Sequence, residues 1–215
     1  MRKNNNLKEL SLAELYSKYG VFLILVIALI AGACLSRAFL APSNLLSVAK
    51  NVGVYAIMAL GMTRLLIGGG VDLSAGSNVA MCSVVAAVIV NNTGSTLLAI
   101  VVAILVGSFI GAINGFFVSY IGLLAFIVTL ATQMTIRGLA YLIAGGAPVF
   151  GAGDFMVWLG QGNLAGIPTI LIVVILTTII VAFVMSRTSH GRYIYAIGGN
   201  SEAAAASGIN VKKQL

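Results

Sequence analysis

Six long apolar runs constrain this chain more than any other feature. A helix that crosses a bilayer core needs about 17–25 mostly apolar residues. The runs are Tyr19–Leu35, Leu45–Ile67, Ser74–Val90, Ser95–Phe117, Leu123–Ala144 and Thr169–Met185. Backbone placed in lipid must satisfy its N–H and C=O groups internally, so each run is expected to be a helix. Composition agrees, with 60% hydrophobic and 8% charged residues against about 25% charged in soluble domains. The expected fold is all-α and polytopic, with about six transmembrane helices followed by one short cytoplasmic helix. A signal peptide is the competing reading of the first run, which ends near Ala31-Gly32-Ala33-Cys34. Its leading segment of about 20 residues is long for a signal and five more runs follow, so it is read as a retained span.

The net charge of +7 would suggest nucleic acid in a soluble protein. Here the basic residues punctuate the apolar runs and report topology instead, and no nucleic-acid partner is expected. With the N-terminus in the cytoplasm, that side holds Arg2, Lys3, Lys8, Lys18, Arg64, Arg187, Arg192, Lys212 and Lys213, and the opposite side holds Arg37, Lys50 and Arg137. The asymmetry follows the positive-inside rule. Residues 1–18 are then a cytoplasmic tail, 19–185 the membrane domain and 186–215 a cytoplasmic segment. The Gly-rich loop 145–168 faces outside. Cys34 and Cys82 lie within apolar runs without metal-ligand spacing and are read as small buried hydrophobes. His190, the single histidine, is read as a solvated loop residue.

Three stretches invite a functional reading. Gly68-Gly69-Gly70 interrupts the helical pattern, and Asp72 and Ser74 are placed to cap a new helix near Ala75, with Gly76 in its first turn. A tight turn and a discontinuous helix on a translocation path both fit, the turn better. Gly107, Gly111 and Gly115 recur every four residues and form a smooth ridge for helix packing, with Asn114 beside it. Thr129, Gln133 and Arg137 share one helix face, which Thr132 and Thr135 broaden. They line a polar passage or bond to neighbouring helices. Their mostly neutral hydrogen-bonding character suits a hydroxylated solute better than an ion. There is no paired-carboxylate site and no GxxxxGK[ST] phosphate loop, so the chain is not read as an enzyme and an energy-driven transporter built on it must borrow its ATPase.

The last polar stretch is different. Asn200 or Ser201 is a good N-cap, Glu202 suits the positive end of a helix dipole, Ala203–Ala206 propagate a helix, and Gly208 suits the left-handed position after it. The result is about two turns, too short to be stable alone and lacking the bulky apolar stripe of a membrane-surface helix. It is expected to dock a soluble partner.

Glu202-Ala203-Ala204, three residues, then Gly208 resembles the cytoplasmic EAA-type loop of bacterial ABC importer permeases. The stretch from Gly191 to Asn200 narrows the resemblance to the monosaccharide branch, the ribose/galactose/xylose-type permeases. Gly69-Gly70-Val71-Asp72-Leu73-Ser74-Ala75-Gly76-Ser77 is similar to that branch's GGIDLSVGS stretch, and Gly111–Gly115 and Phe126–Leu130 match further family segments. The resemblance implies a permease subunit in the bacterial plasma (inner) membrane. A periplasmic or lipid-anchored sugar-binding protein delivers a monosaccharide, and two permease copies or paralogues form the path. An ABC ATPase subunit supplies the energy. Gly199, Asn200, Glu202, Ala203, Ala204 and Gly208 are implied coupling residues, and Asp72, Ser74, Gly76, Thr129, Gln133 and Arg137 are candidates for the path. No cofactor is expected on this chain, ATP being used by the partner, and no metal. Relatives often carry prolines where this chain has Gly122-Leu123-Leu124-Ala125, so a less sharp break is expected there. Permeases of this branch continue past the coupling loop with further spans, so the chain is expected to be the N-terminal portion. The alternatives are a secondary transporter or channel, for which Asp72 is the only candidate coupling acid, and a non-transporting fragment that docks an ATPase.

Overall fold

The computed structural model describes residues 12–214 and is helical almost throughout. Two compact units divide within the second helix: Met1–Val48 and Ala49–Leu215. Residues 1–11, most of the expected tail, lie outside the described residues.

The first unit holds α1 (Leu12–Leu35) and the start of α2 (Pro42–Ile67). Pro42 opens α2, where its missing N–H costs nothing. The intervening turn is closed by the Phe39 ring against Gly32, where an added Cβ would lie 2.7 Å from the ring, and by Asn44 Nδ2 donating to the Phe39 carbonyl at 2.8 Å.

The second unit contains the remainder of α2, then α3 (Ala75–Thr93), α4 (Thr96–Gly115) continued by a π-helical turn (Phe116–Ile121), α5 (Ala125–Ile143), α6 (Asp154–Gln161), α7 (Thr169–Arg187), α8 (Ser189–Gly199), α9 (Ser201–Ala206) and α10 (Val211–Gln214). Strands β1 (Asn163–Leu164) and β2 (Ile167–Pro168) make an antiparallel hairpin between α6 and α7. Five segments are long and apolar enough to cross a membrane: Pro42–Ile67, Ala75–Thr93, Thr96–Ile121, Ala125–Ile143 and Thr169–Arg187. The first expected run, Tyr19–Leu35, is the apolar part of α1 and is shorter than these five. The protein is a polytopic α-helical membrane protein.

The centre of the second unit is α3, packed against both α4 and α5. Met81, Ile110, Ile136 and Ala140 form the buried apolar cluster, one or two residues from each helix. Most large apolar side chains point outward, Phe22, Leu97, Phe109, Leu142 and Phe183 among them. In water this would be untenable, but lipid is as apolar as the side chains and the exposure carries no penalty. The loop after α5 is fastened to this centre by Asn91 Nδ2, which donates to the Phe150 carbonyl at 2.8 Å. Lys50 Nζ donates to the Gln161 carbonyl at 2.6 Å, placing a cation at the negative end of α6.

The turn before α5 is sharp without proline. The π-helical turn ends at Gly122, which takes φ +84°. Leu124 is then extended, with φ −61° and ψ 125°, and α5 starts afresh. A π-helical turn, a left-handed glycine and an extended Leu124 thus separate α4 from α5 without proline.

Candidate functional site

The glycine run closes α2 as a Schellman motif. Gly70 N–H donates to the Leu65 carbonyl at 2.8 Å and Gly69 N–H to the Leu66 carbonyl at 3.1 Å. Gly69 occupies the left-handed position at φ +84°, which only glycine adopts freely. The chain then passes through Asp72 into α3, so the interruption is a connection between two membrane-length helices.

Asp72 does not cap α3 directly. Its Oδ1 accepts from Ser74 N–H at 2.7 Å and from the Ser74 hydroxyl at 2.6 Å, forming a local turn that presents Ser74 as N-cap residue. Ser74 is fully buried. Its hydroxyl, donating to Asp72, also accepts from Asn114 Nδ2 at 2.9 Å, and Asn114 Oδ1 accepts from the Thr132 hydroxyl at 2.7 Å. A directional chain thus runs Thr132 to Asn114 to Ser74 to Asp72, tying α5, α4 and the start of α3. Every donor in the chain points toward the carboxyl group, whose Oδ1 is the final acceptor. Thr129, also buried, donates to its own helix at Ala125 O, 2.7 Å, and lies 3.4 Å from Val71 O beside Asp72.

Asp72, Asn114 and Thr129 line a cavity of about 300 Å³ that also touches Arg64, Gly68, Gly111, Gly115, Ile194 of α8 and Gln214 of α10. The expected glycine ridge is divided. An added Cβ at Gly107 would lie 3.1 Å from Cys82 Sγ of α3, whereas at Gly111 and Gly115 it would meet nothing within 4 Å. Those two glycines border the cavity rather than seat a helix. Gly76 is likewise open. The face predicted on α5 is divided too. Thr129 belongs to this cavity, Gln133 is half-buried, and Arg137 is exposed and lines a separate cavity of about 290 Å³ with Tyr141 and Gly146. Eight residues at about 1.5 Å each put Thr129 and Arg137 about 12 Å apart along one helix, which a shared face does not shorten.

The polar segment after α7 meets this site through α8, a helix whose role the sequence did not reveal. Ile194 and Ile197 of α8 are buried at 2% and 4% exposure. Gly198 abuts the end of α2: an added Cβ would overlap the Ile67 carbonyl oxygen and lie 2.9 Å from its carbon. The short helix α9 follows at once. Asn200 is its N-cap, the side chain accepting from Ala203 N–H at 2.9 Å. Gly208, at φ +84°, closes it with Ile209 N–H donating to the Ala204 carbonyl at 3.1 Å. Only Ala204 of this helix is buried, while Glu202, Ala203, Ala205 and Ala206 are exposed. Gly199 is open, with nothing within 4 Å of an added Cβ. His190, read as solvated, is half-buried and its Nδ1 lies 2.7 Å from Gln214 Oε1. Among the described residues no cluster of three or more His, Cys, Asp or Glu is placed to hold a metal ion.

A family model described as "Branched-chain amino acid transport system / permease component" matches residues 44–214. The ribose import permease protein RbsC of Escherichia coli is 36% identical over 197 residues, which cover 90% of this chain and 61% of that protein. RbsC of Bacillus subtilis is 35% identical over 199 residues, 91% of this chain and 62% of that protein. The D-allose transport system permease protein AlsC of Escherichia coli is 33% identical over 207 residues, 95% of this chain and 64% of that protein. The chain therefore spans about three fifths of the length of these relatives. No solved structure matches it. With the polytopic helical fold and a family match across both the polar site and the α8–α9 segment, this chain belongs to the permease-component family of that transport system.

Proposed function

We propose that this chain works as a membrane-spanning permease subunit of an ATP-driven importer for a monosaccharide, in the inner membrane of a bacterium with its N-terminus in the cytoplasm. The observation that carries the reading is α9. It is capped at both ends, buries one alanine and presents the others as a smooth exposed face. It is joined to α8, which rests on the Ile67 carbonyl where α2 gives way to the polar site. A partner ATPase that grips α9 would push α8 against the end of α2. The partners are an ABC ATPase subunit, a sugar-binding protein on the outer side and a second permease copy or paralogue. ATP is bound by the ATPase and not by this chain.

Although the family is described by amino acid transport, sugar is favoured here. The relatives are named for ribose and allose, and the polar side chains of the site are one hydroxyl (Thr129) and two amides (Asn114 and Gln214) beside one carboxylate and one guanidinium. Uptake of labelled monosaccharides into membrane vesicles, with the cognate ATPase and binding protein supplied, tests the proposal. Uptake that requires ATP supports it; uptake indifferent to ATP refutes it.

A further inference from the structure

A second, larger hollow of about 950 Å³ lies between residues 58–65 of α2, 75–86 of α3 and 100–108 of α4, with Met156 of α6 at its margin. At about 1.5 Å per residue it follows α3 for about 16 Å, half the thickness of a bilayer core. Its polar lining is Arg64, Asp72, Asn78, Ser83 and Ser108. The α5 face singled out from sequence takes no part in it.

Arg64 and Asp72 line both this groove and the smaller cavity at the break, so they stand where the two meet. Among the described residues Arg64 Nε is buried without a hydrogen-bond partner. Both bonds to Asp72 fall on Oδ1, leaving Oδ2 without a donor among the described residues. A lipid tail offers such groups nothing, so they face protein, water or solute. An anionic solute would meet the carboxylate and a cationic one the guanidinium. A neutral solute carrying both donors and acceptors satisfies the two at once, and the amide and hydroxyls of Asn78, Ser83 and Ser108 extend the same chemistry along the groove. The volume falls within the roughly 300–1,000 Å³ of small-molecule sites.

We propose that this groove is the solute-holding section of the path, and that it takes a neutral polyhydroxylated solute whose hydroxyls donate to Asp72 Oδ2 and accept from Arg64. The assignment rests on the permease reading above and adds to it the place and the polar contacts.

Cys82 lines the groove and is half-buried, so it reports occupancy. With exposed Cys34 changed to serine it is the sole thiol. The rate of its labelling by a small water-soluble methanethiosulfonate is measured on the chain in nanodiscs, which leave both faces open. The added solutes are D-ribose, D-allose, L-arabinose, D-fructose and, as an anion control, sulfate. At least one sugar should slow labelling several-fold while sulfate does not. Asp72→Asn keeps the Oδ1 acceptor for Ser74 but turns the free oxygen into a donor. It and Arg64→Gln should each abolish protection with the unprotected rate unchanged within about twofold. Protection by none of the sugars, protection by sulfate, or labelling only by a membrane-permeant reagent, as a lipid-filled groove would give, overturns the assignment. ATP-dependent sugar uptake without any protection of Cys82 overturns the groove alone; loss of ATP-dependent uptake removes the permease reading with it.

Discussion

Adjacent glycines at the end of α8 should respond oppositely to the same substitution. Gly198→Ala places a methyl group on the Ile67 carbonyl, with the carbonyl carbon at 2.9 Å and Gly68 Cα at 3.5 Å. These are backbone atoms that cannot swing aside, and comfortable carbon contacts begin at about 3.5 Å. The end of α8 must therefore retreat from α2 by more than half an ångström. Overpacking of this kind costs about 1–3 kcal/mol. Gly199→Ala meets nothing within 4 Å, and gains up to about 1 kcal/mol of helix propensity. That propensity term is common to both, so the difference between the variants isolates the steric cost of about 1–3 kcal/mol. On the scale of soluble chains of this length, each kcal/mol moves Tm by about 2–4 °C. Thermal unfolding in one detergent, both variants side by side, should place Gly198→Ala below Gly199→Ala by about 2–12 °C. Coincident melting curves would show that α8 does not bear on the end of α2 and would refute the proposed mechanical route.

Three further outcomes follow from the same geometry. Asn114→Leu removes the centre of the buried chain and leaves Ser74 and Thr132 without their partner; a loss of about 1–3 kcal/mol is expected, read as a lower thermal midpoint, with Thr132→Val costing less. Asn200→Ala deletes the cap on α9 and should cost about 1 kcal/mol, seen as faster proteolysis within residues 200–210 with the membrane helices still protected. Gly107→Val should destabilise by driving against Cys82 at 3.1 Å, whereas Gly111→Ala, facing open space, should leave the midpoint unchanged or higher.

Local rules with local partners were legible in the sequence. Asn200, Gly208 and Gly69 do what their residue types favour within four residues of themselves, and the long apolar runs are helices. The polar chain was not legible, because it depends on how three helices rotate about their axes. Asn114 sits inside a glycine-spaced run that suggests plain packing, yet its partners lie 40 and 18 residues away. The glycine spacing marked one helix stripe without saying that α3 covers only its Gly107 end. Shared face on α5 was a sound deduction for Thr129 and Arg137, but height along the helix separates them into different cavities. The buried side of α8, where Gly191, Ile194 and Ile197 recur every three residues, is an amphipathic signal, but periodicity alone does not say which element that side rests on.

The central claim is that the exposed alanine face of α9 is the grip for an ATPase. Co-purification of the tagged chain with its cognate ATPase from detergent-solubilised membranes tests this most directly, comparing the unaltered chain with Ala205→Trp. Ala205 is exposed, so the bulky side chain should leave the helix and membrane insertion intact while blocking close approach. The account predicts that the ATPase is retained by the unaltered chain and lost with the variant. Equal retention by both would contradict it.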